Sequence, residues 1–365
     1  MPGWPAGPAV AIPVGAGRGS QASLLGAGPL FRRHPPMKTL LKLLGWLVVL
    51  VVAVAGAGLA YLFTAYPKVP PAETVTVPKT PERVARGKYL SEHVTGCVVC
   101  HAERDWSAFG APVVPGTAGK GGQRFGFGPE PFVLYAKNLT PAGIGTWTDG
   151  EVIRAFTTGV SRDGTPLFPL MPYPHFAKLA REDVEAIVAY LRTLPAVSNP
   201  PEPARTLKFP LPLVVRTIPA AASHRPIPPR EDRVAYGEYM VNASLCADCH
   251  TPIDEQGAPL PGRDFAGGMV FTPNGVGLVR SANLTPDAST GIGGWTEQQF
   301  VDKFRAFRGV AARKLEGAER QQQTEMPWLD YAGMADDDLA AIYAYLRTVK
   351  PVTNRVQKFD GQPQP

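Results

Sequence analysis

Four cysteines fall in two runs, Cys97-Val98-Val99-Cys100-His101 and Cys246-Ala247-Asp248-Cys249-His250, and none is left over. C-x-x-C-H is the pattern of covalent c-type haem attachment: both thiols add across porphyrin vinyl groups as thioethers, and the next residue supplies the proximal imidazole to iron. Cys97, Cys100, Cys246 and Cys249 are therefore the expected attachment residues, and His101 and His250 the expected proximal ligands. Other chemistries fit less well. A thioredoxin-like C-x-x-C calls for a neighbouring βαβ pattern and no immediate histidine. A zinc site would pair four thiolates without two equally placed histidines. Structural disulfides are permitted in an exported chain, but they do not explain the repeated histidine.

An iron that only transfers electrons needs a sixth ligand, commonly a methionine thioether. Met171 and Met326 occupy matching positions, each followed by proline and each 19 residues before the tyrosine of Ala-Tyr-Leu-Arg-Thr. Met240, Met269 and Met334 have no methionine counterpart. A lone methionine is usually gap-filler in a core; the duplication points to ligation by Met171 and Met326, with His175 the rival in the first half. His93 and His224 read as loop or surface histidines. Trp147, Trp295, Tyr190 and Tyr345 are paired in the same way and fit either a haem crevice or core packing. Asn138 and Asn283 fit either a place near the propionates or turn initiation before proline.

The elements that position these residues also repeat. Asn138-Leu139-Thr140-Pro141 returns as Asn283-Leu284-Thr285-Pro286, and Gly143-Ile144-Gly145-x-Trp147 as Gly291-Ile292-Gly293-x-Trp295. From Met171 to Asn199 the partner lies at a constant offset of 155, whereas upstream the offset drifts between 145 and 149. Length changes therefore belong in the loops after each C-x-x-C-H and after Asn-Leu-Thr-Pro. Thr148-x-x-Glu151 and Thr296-x-x-Gln299 are capping boxes that open helices. Val184, Ile187, Leu191 and Leu194 recur at helical spacing, and Leu339, Ile342, Leu346 and Val349 repeat them. Arg181-Glu182-Asp183 and Asp336-Asp337-Asp338 place carboxylates where a helix dipole favours them. Pro195 to Pro229 holds ten prolines and reads as an extended linker.

The 365 residues, 44% hydrophobic and 19% charged, suit two folded units rather than a disordered chain. The formal charge of +6 is concentrated before Glu73, and from Pro67 onward cations exceed anions by one. No basic stripe remains for nucleic acid, which is excluded as a partner. Leu43 to Phe63 is uncharged over 21 residues, enough to span the roughly 30 Å hydrocarbon core. Lys38 and Lys42 precede it and only Lys68 follows closely, so the N-terminus is expected in the cytoplasm and everything after Tyr66 exported. An uncleaved anchor is favoured on length; cleavage at Ala53-x-Ala55 or Ala55-x-Ala57 is the alternative. The expected organisation is a disordered Gly/Pro/Ala-rich extension at 1–36, with Met37 a candidate true start, an anchor or signal at 37–66, haem domains at 67–198 and 230–365, and a linker at 199–229.

From about Arg83 to Asn354 these residues resemble class I c-type cytochromes, and within them the membrane-anchored multihaem cytochrome subunits that serve periplasmic dehydrogenases. The resemblance rests on both C-x-x-C-H runs, the Asn-Leu-Thr-Pro and Gly-Ile-Gly-x-Trp segments, Met171, Met326 and the terminal Tyr-Leu-Arg helices. It implies a mainly α fold of two tandem class I cytochrome c domains behind one N-terminal transmembrane helix, with two covalently bound haem c groups. Each domain would pack its N- and C-terminal helices together, Gly87 and Tyr89 matching Gly237 and Tyr239, and carry the methionine on a loop across the iron. The dehydrogenase-linked relatives usually carry three haems, and this chain has two attachment sites, which leaves the partner open. The expected function is a membrane-tethered dihaem carrier of the bacterial inner membrane, with its haem domains in the periplasm. It would pass electrons from a periplasmic dehydrogenase to a respiratory-chain acceptor; a soluble periplasmic form would follow cleavage. The alternative is a dihaem peroxidase-like enzyme with one open haem site. Peroxidase chemistry would break the symmetry of one distal site, and here Met-Pro stands in both halves.

Overall fold

The computed structural model describes residues 36–126, 131–200, 205–255, 257–273 and 277–359. The segment read as an extension therefore lies outside the described residues apart from Pro36. Contacts divide the chain into two units, Met1–Gly58 and Leu59–Pro365. In the first, the described residues from Met37 onward are helical and solvent-exposed throughout. They begin α1, Met37–Ala65, the one helix among the described residues long and apolar enough to cross a membrane. At 1.5 Å per residue its length is about 43 Å.

The second unit is mainly helical. In its first half come α2 (Pro81–Tyr89), a π-turn at Leu90–Val94, α3 (Cys97–Cys100), α4 (Pro141–Ile144), α5 (Asp149–Thr158), α6 (Tyr173–Phe176) and α7 (Arg181–Leu191). After α8 (Leu211–Thr217), the second half runs through α9 (Arg233–Ala243), α10 (Cys246–His250), α11 (Glu297–Arg305), α12 (Trp328–Tyr331) and α13 (Asp336–Leu346). Two small antiparallel sheets complete it. One has the order β1 (Arg124–Phe125), β2 (Phe132–Tyr135), β3 (Thr206–Leu207); the other pairs β4 (Val270–Phe271) with β5 (Val279–Arg280).

Two helix crossings organise the core, α2 on α7 and α9 on α13. Both depend on a glycine. A Cβ on Gly87 would lie 1.8 Å from the Ala186 carbonyl oxygen, and one on Gly237 2.0 Å from that of Ala341. Only hydrogen side chains let the backbones approach so closely. The expected apolar stripes face inward, with Val184, Ile187, Leu191, Leu339, Ile342 and Leu346 all buried. Both capping boxes form, Glu151 reaching back to the Thr148 N–H and Gln299 to that of Thr296, each at 2.8 Å. Between the paired tyrosine and the first cysteine, Tyr89 to Cys97 is one residue longer than Tyr239 to Cys246. The π-turn at Leu90–Val94 lies in this stretch, and a π-turn is how a helix takes in an extra residue.

The halves lock together through reciprocal contacts. Tyr89 donates to Asp338 at 2.5 Å, and its counterpart Tyr239 donates to Asp183 at 2.6 Å. Each hydroxyl also accepts a backbone N–H from the other half, that of Ala335 at 3.1 Å and that of Ala180 at 3.2 Å. Asp183 further receives Arg86 through Nε and Nη2, both at 2.8 Å, while Asp338 receives Tyr236 and Arg230. Burial and the Asp338 charge push the Tyr236 hydroxyl up to about 12, so it remains a donor at neutral pH. The two carboxylates do sit in the first turns of their helices. They are also buried acceptors that join the halves.

The prolines between the halves do not keep that stretch extended. α8 forms there because Pro210 precedes it and Pro212 lies in its first turn, where a helix has no use for the missing N–H. β3 pairs Thr206 with Val133 and Leu207 with Phe132, and Val215 is buried.

Candidate haem sites

Each attachment run follows a residue with left-handed backbone, Gly96 at φ 65° and Leu245 at φ 59°. That kink ends the preceding helix and starts the short turn that carries both cysteines. No disulfide joins the four cysteines. Cys97 and Cys246 have a hydroxyl beside the sulfur, Thr95 at 3.1 Å and Ser244 at 3.3 Å, and burial pushes both thiols up to about 11. No cluster of three or more His, Cys, Asp and Glu side chains suited to a metal ion occurs among the described residues.

The two histidines are held identically. His101 Nδ1 lies 2.7 Å from the Lys137 carbonyl oxygen, and His250 Nδ1 2.7 Å from that of Ala282. With Nδ1–H donating to a carbonyl, the lone pair is left on Nε2, the arrangement metal-bound histidines use. Desolvation lowers the pKa of both imidazoles, opposed by the carbonyl bond, which favours the neutral ligating form. These residues fit covalently bound haem: two thiols in reach of one turn, and one neutral imidazole with its coordinating nitrogen uncommitted.

The residue before each Asn-Leu-Thr-Pro segment supplies that carbonyl, and the segment holds it in place. Asn138 Oδ1 accepts the N–H and hydroxyl of Thr140 at 2.8 and 2.7 Å, while its Nδ2 donates to the Val197 carbonyl at 2.8 Å. Asn283 repeats this with Thr285 and Val352. Both amides are thus occupied in bracing the turn that directs the preceding carbonyl at the histidine. Sequence reasoning missed two further participants, Gly121 at φ 78° and Gly267 at φ 69°. Their N–H groups bond the carbonyls of His101 and His250 at 2.8 and 2.7 Å. A Cβ on either would lie 2.6 Å from the backbone nitrogen of the bracing asparagine. The signal available was the pair Gly121-Gly122 returning as Gly267-Gly268.

Met171 and Met326 are half-buried and packed against the core. Each leads into its short helix through the same bond, Tyr173 N–H to the Met171 carbonyl at 2.7 Å and Trp328 N–H to that of Met326 at 2.8 Å. His175, the rival, has both ring nitrogens engaged: Nε2 on Asp248 at 2.8 Å and Nδ1 facing Asn242 Oδ1 at 3.0 Å. It bridges to the second attachment run. His93 likewise reaches the other half, Nδ1 to the Asp330 carbonyl at 3.0 Å, and His224 Nδ1 meets the Leu179 carbonyl at 2.8 Å. Among the paired aromatics, Tyr190 donates to Glu92 at 2.5 Å, Tyr345 packs edge-on to Phe265, Trp147 lies against the core and Trp295 is 38% exposed.

The second half lengthens its approach to Met326, and the added loop meets the first half's loop after His101. Phe109 N–H bonds the Arg313 carbonyl and Leu315 N–H that of Ser107, both at 2.8 Å. Gln323, 3% exposed, closes the joint by accepting from Gly110 N–H at 2.9 Å and donating to the Trp106 and Ala108 carbonyls at 3.0 and 2.8 Å. Thr324, next in sequence, accepts the Met326 N–H through Oγ1 at 3.0 Å.

Comparison with known proteins agrees with this geometry. The Cytochrome c family model matches residues 234–350. Among curated proteins the chain is similar to the fructose dehydrogenase cytochrome subunit of Gluconobacter japonicus, 28% identical over 73% of this chain and 52% of that one. It is also similar to the cytochrome c subunit of the quinone alcohol dehydrogenase of Gluconobacter oxydans, 27% identical over 76% of this chain and 58% of the relative. A diheme c-type cytochrome of Cereibacter sphaeroides is 29% identical over 70% of this chain and 83% of its own length. The chain spans little more than half the length of the dehydrogenase subunits it matches. Residues 234–350 thus match the cytochrome c family, whose domain holds haem c covalently, and the chain as a whole resembles dihaem class I cytochromes and the cytochrome subunits of bacterial dehydrogenases.

Proposed function

We propose that the chain is a dihaem electron-transfer cytochrome built from two tandem class I domains, 67–198 and 230–365, tethered to a bacterial inner membrane by α1. It accepts electrons from a periplasmic dehydrogenase and passes them to a respiratory-chain acceptor. The observation that carries this reading is the duplicated proximal site, with His101 and His250 each held at 2.7 Å by the carbonyl that precedes Asn-Leu-Thr-Pro. Covalently bound haem supplies one-electron iron chemistry. The chain supplies thioether attachment through Cys97, Cys100, Cys246 and Cys249, axial ligation through His101 with Met171 and His250 with Met326, and an environment that fixes the potentials.

Electron transfer between two groups requires that they be close and that little move when charge moves. The reciprocal tyrosine–aspartate bonds meet the second need by joining the halves rigidly. His175 bears on the first: four residues after Met171, its Nε2 meets Asp248, inside the second attachment run, at 2.8 Å.

Met326→Ala in the full haem-loaded chain tests the assignment. Carbon monoxide should bind about half of the reduced haem in the variant and none in the parent, and one reduction potential should fall while the other stays. Carbon monoxide binding to half the haem of the parent would instead favour the peroxidase-like reading. Unchanged potentials in the variant would remove Met326 as a ligand.

A further inference from the structure

The stretch between residues 203 and 230 carries Arg205, Lys208, Arg216, Arg225 and Arg230 and no acidic residue. Within it α8 buries one side and leaves an apolar side uncovered. Val215 is 1% exposed, whereas Phe209, just before the helix, is 82% exposed and Val214 is 46% exposed.

Where α8 is fastened says what covers it. Arg216, in its last turn, donates through Nη2 to the carbonyls of Tyr66 at 2.8 Å and Phe63 at 3.4 Å, and its guanidinium lies 4.5 Å from the Phe63 ring centroid. Phe63 and Tyr66 stand at the C-terminal end of α1, where a spanning helix leaves the hydrocarbon. The end has an interfacial composition: Tyr61 and Tyr66 stack edge-on, and the Lys68 ammonium lies 5.1 Å from the Tyr66 ring centroid. Aromatic rings with flanking cations are what chains place at headgroup level. Phe209 stands two residues before the start of α8 and seven before Arg216, so the ring is held within about 10 Å of that level. A bilayer's polar zone is itself roughly 5 to 7 Å deep on each side.

We propose that α8, with Phe209 and Val214 inserted and Lys208 at its edge, lies in the headgroup layer of the membrane that α1 crosses, as a second contact with an anionic phospholipid surface. Short apolar segments flanked by cations bind in this manner by combining partition of the apolar side with attraction to acidic headgroups. Two contacts on one chain hold the haem-bearing unit in one orientation, which a single helical tether does not. The inference rests on reading α1 as the anchor.

The native cysteines are consumed by haem, so a cysteine introduced into the full haem-loaded chain is a unique labelling site. Phe209→Cys, Val214→Cys and Val52→Cys, each spin-labelled, would be reconstituted in phosphatidylcholine vesicles containing phosphatidylglycerol. Collision with oxygen, which concentrates in lipid, would be compared with collision with a water-soluble nickel chelate. The expected result is oxygen-dominated relaxation at 52, 209 and 214, with the nickel contribution at 209 and 214 rising severalfold in vesicles of phosphatidylcholine alone. Nickel-dominated relaxation at 209 and 214 with oxygen dominating at 52 overturns the inference and leaves the anchor standing. Nickel dominating at 52 overturns the anchor and the inference with it.

Discussion

Gln323→Leu isolates what the interlocked loops contribute, because one side chain uses its whole bonding capacity there. Oε1 accepts from Gly110 and Thr324 N–H at 2.9 and 3.0 Å, and Nε2 donates to the Trp106 and Ala108 carbonyls at 3.0 and 2.8 Å. An amide side chain has two acceptor sites and two donors, and all four are filled. Leucine has similar bulk but offers none, leaving two N–H groups and two carbonyls without these partners. A buried group stripped of its partner costs about 1–3 kcal/mol. Gly110 and Thr324 are buried and their N–H groups have no other partner among the bonds described, whereas the Ala108 carbonyl keeps the Ala111 N–H at 3.0 Å, and leucine recovers about 1 kcal/mol of apolar burial. The net loss should be about 2–4 kcal/mol.

Guanidinium unfolding of the haem-loaded chain, followed by far-ultraviolet circular dichroism and Soret absorbance, reads this directly. With a slope near 4 kcal/mol per molar, the midpoint should fall by roughly 0.5–1 M. Gln323→Glu sharpens the test. It keeps acceptors for the two N–H groups but sets a carboxylate against two carbonyls, so at pH 7 it should be at least as damaging as leucine and should recover part of the loss on acidification. A midpoint within about 0.1 M of the parent for Gln323→Leu would refute the argument that this joint is a closed polar network.

Gly237→Ala places two effects in opposition: helix propensity favours alanine by about 1 kcal/mol, whereas a Cβ 2.0 Å from the Ala341 carbonyl oxygen forces the helices apart at a cost of about 1–3 kcal/mol. The same unfolding measurement should show a net loss, and a gain would mean the crossing is loose. For His175, the hydrogen bond it donates to Asp248 raises the imidazole's pKa against the opposing effect of burial. Its contribution is therefore fully present below the unfolded value of about 6.5 and disappears as pH rises through the folded value. His175→Gln should flatten that part of the stability–pH profile, and superimposable profiles would show the bridge to be without effect.

What could be read from sequence was what repeats locally. Thioether attachment needs two cysteines and a histidine within five residues, helix faces recur every three or four residues, and capping boxes close over three. Each of these is complete within a few turns of chain, so composition and spacing reveal it. Asn138 and Asn283 were visible as a pair but not interpretable, because the bond that explains them runs to Val197 and Val352, some 60 and 70 residues on. Asp183 and Asp338 had a sufficient local reading as helix-start carboxylates. Nothing local shows that a tyrosine from the opposite half completes each one. His175 looked available for iron because both its partners, Asn242 and Asp248, lie across the interface. α8 was hidden by its own prolines, which are harmless only at the particular turn they occupy.

These cross-half bonds also bear on how the unit can work. Pulling the halves apart would leave Asp183 without Tyr239 and Asp338 without Tyr89, two carboxylates with side chains 2% and 0% exposed. Exposing them to water would sacrifice the packed faces around them, and leaving them buried would strip each of a charge-assisted bond worth about 1.5–3 kcal/mol. Neither alternative is open to a chain whose whole margin of stability is on the order of 10 kcal/mol. The proline-rich segment therefore does not serve as a hinge between independent bodies, and Ser223 and Arg225 within it bond back to the carbonyls of Ala177 and Lys178. The two tyrosine–aspartate pairs are equivalent, and a pair of equivalent contacts can close only in one relative orientation. The loops that Gln323 joins then break the equivalence on one side alone, beside Met326. The symmetric contacts set how the two attachment runs face each other, and the asymmetric joint gives the approach to Met326 a buried polar contact with the other half.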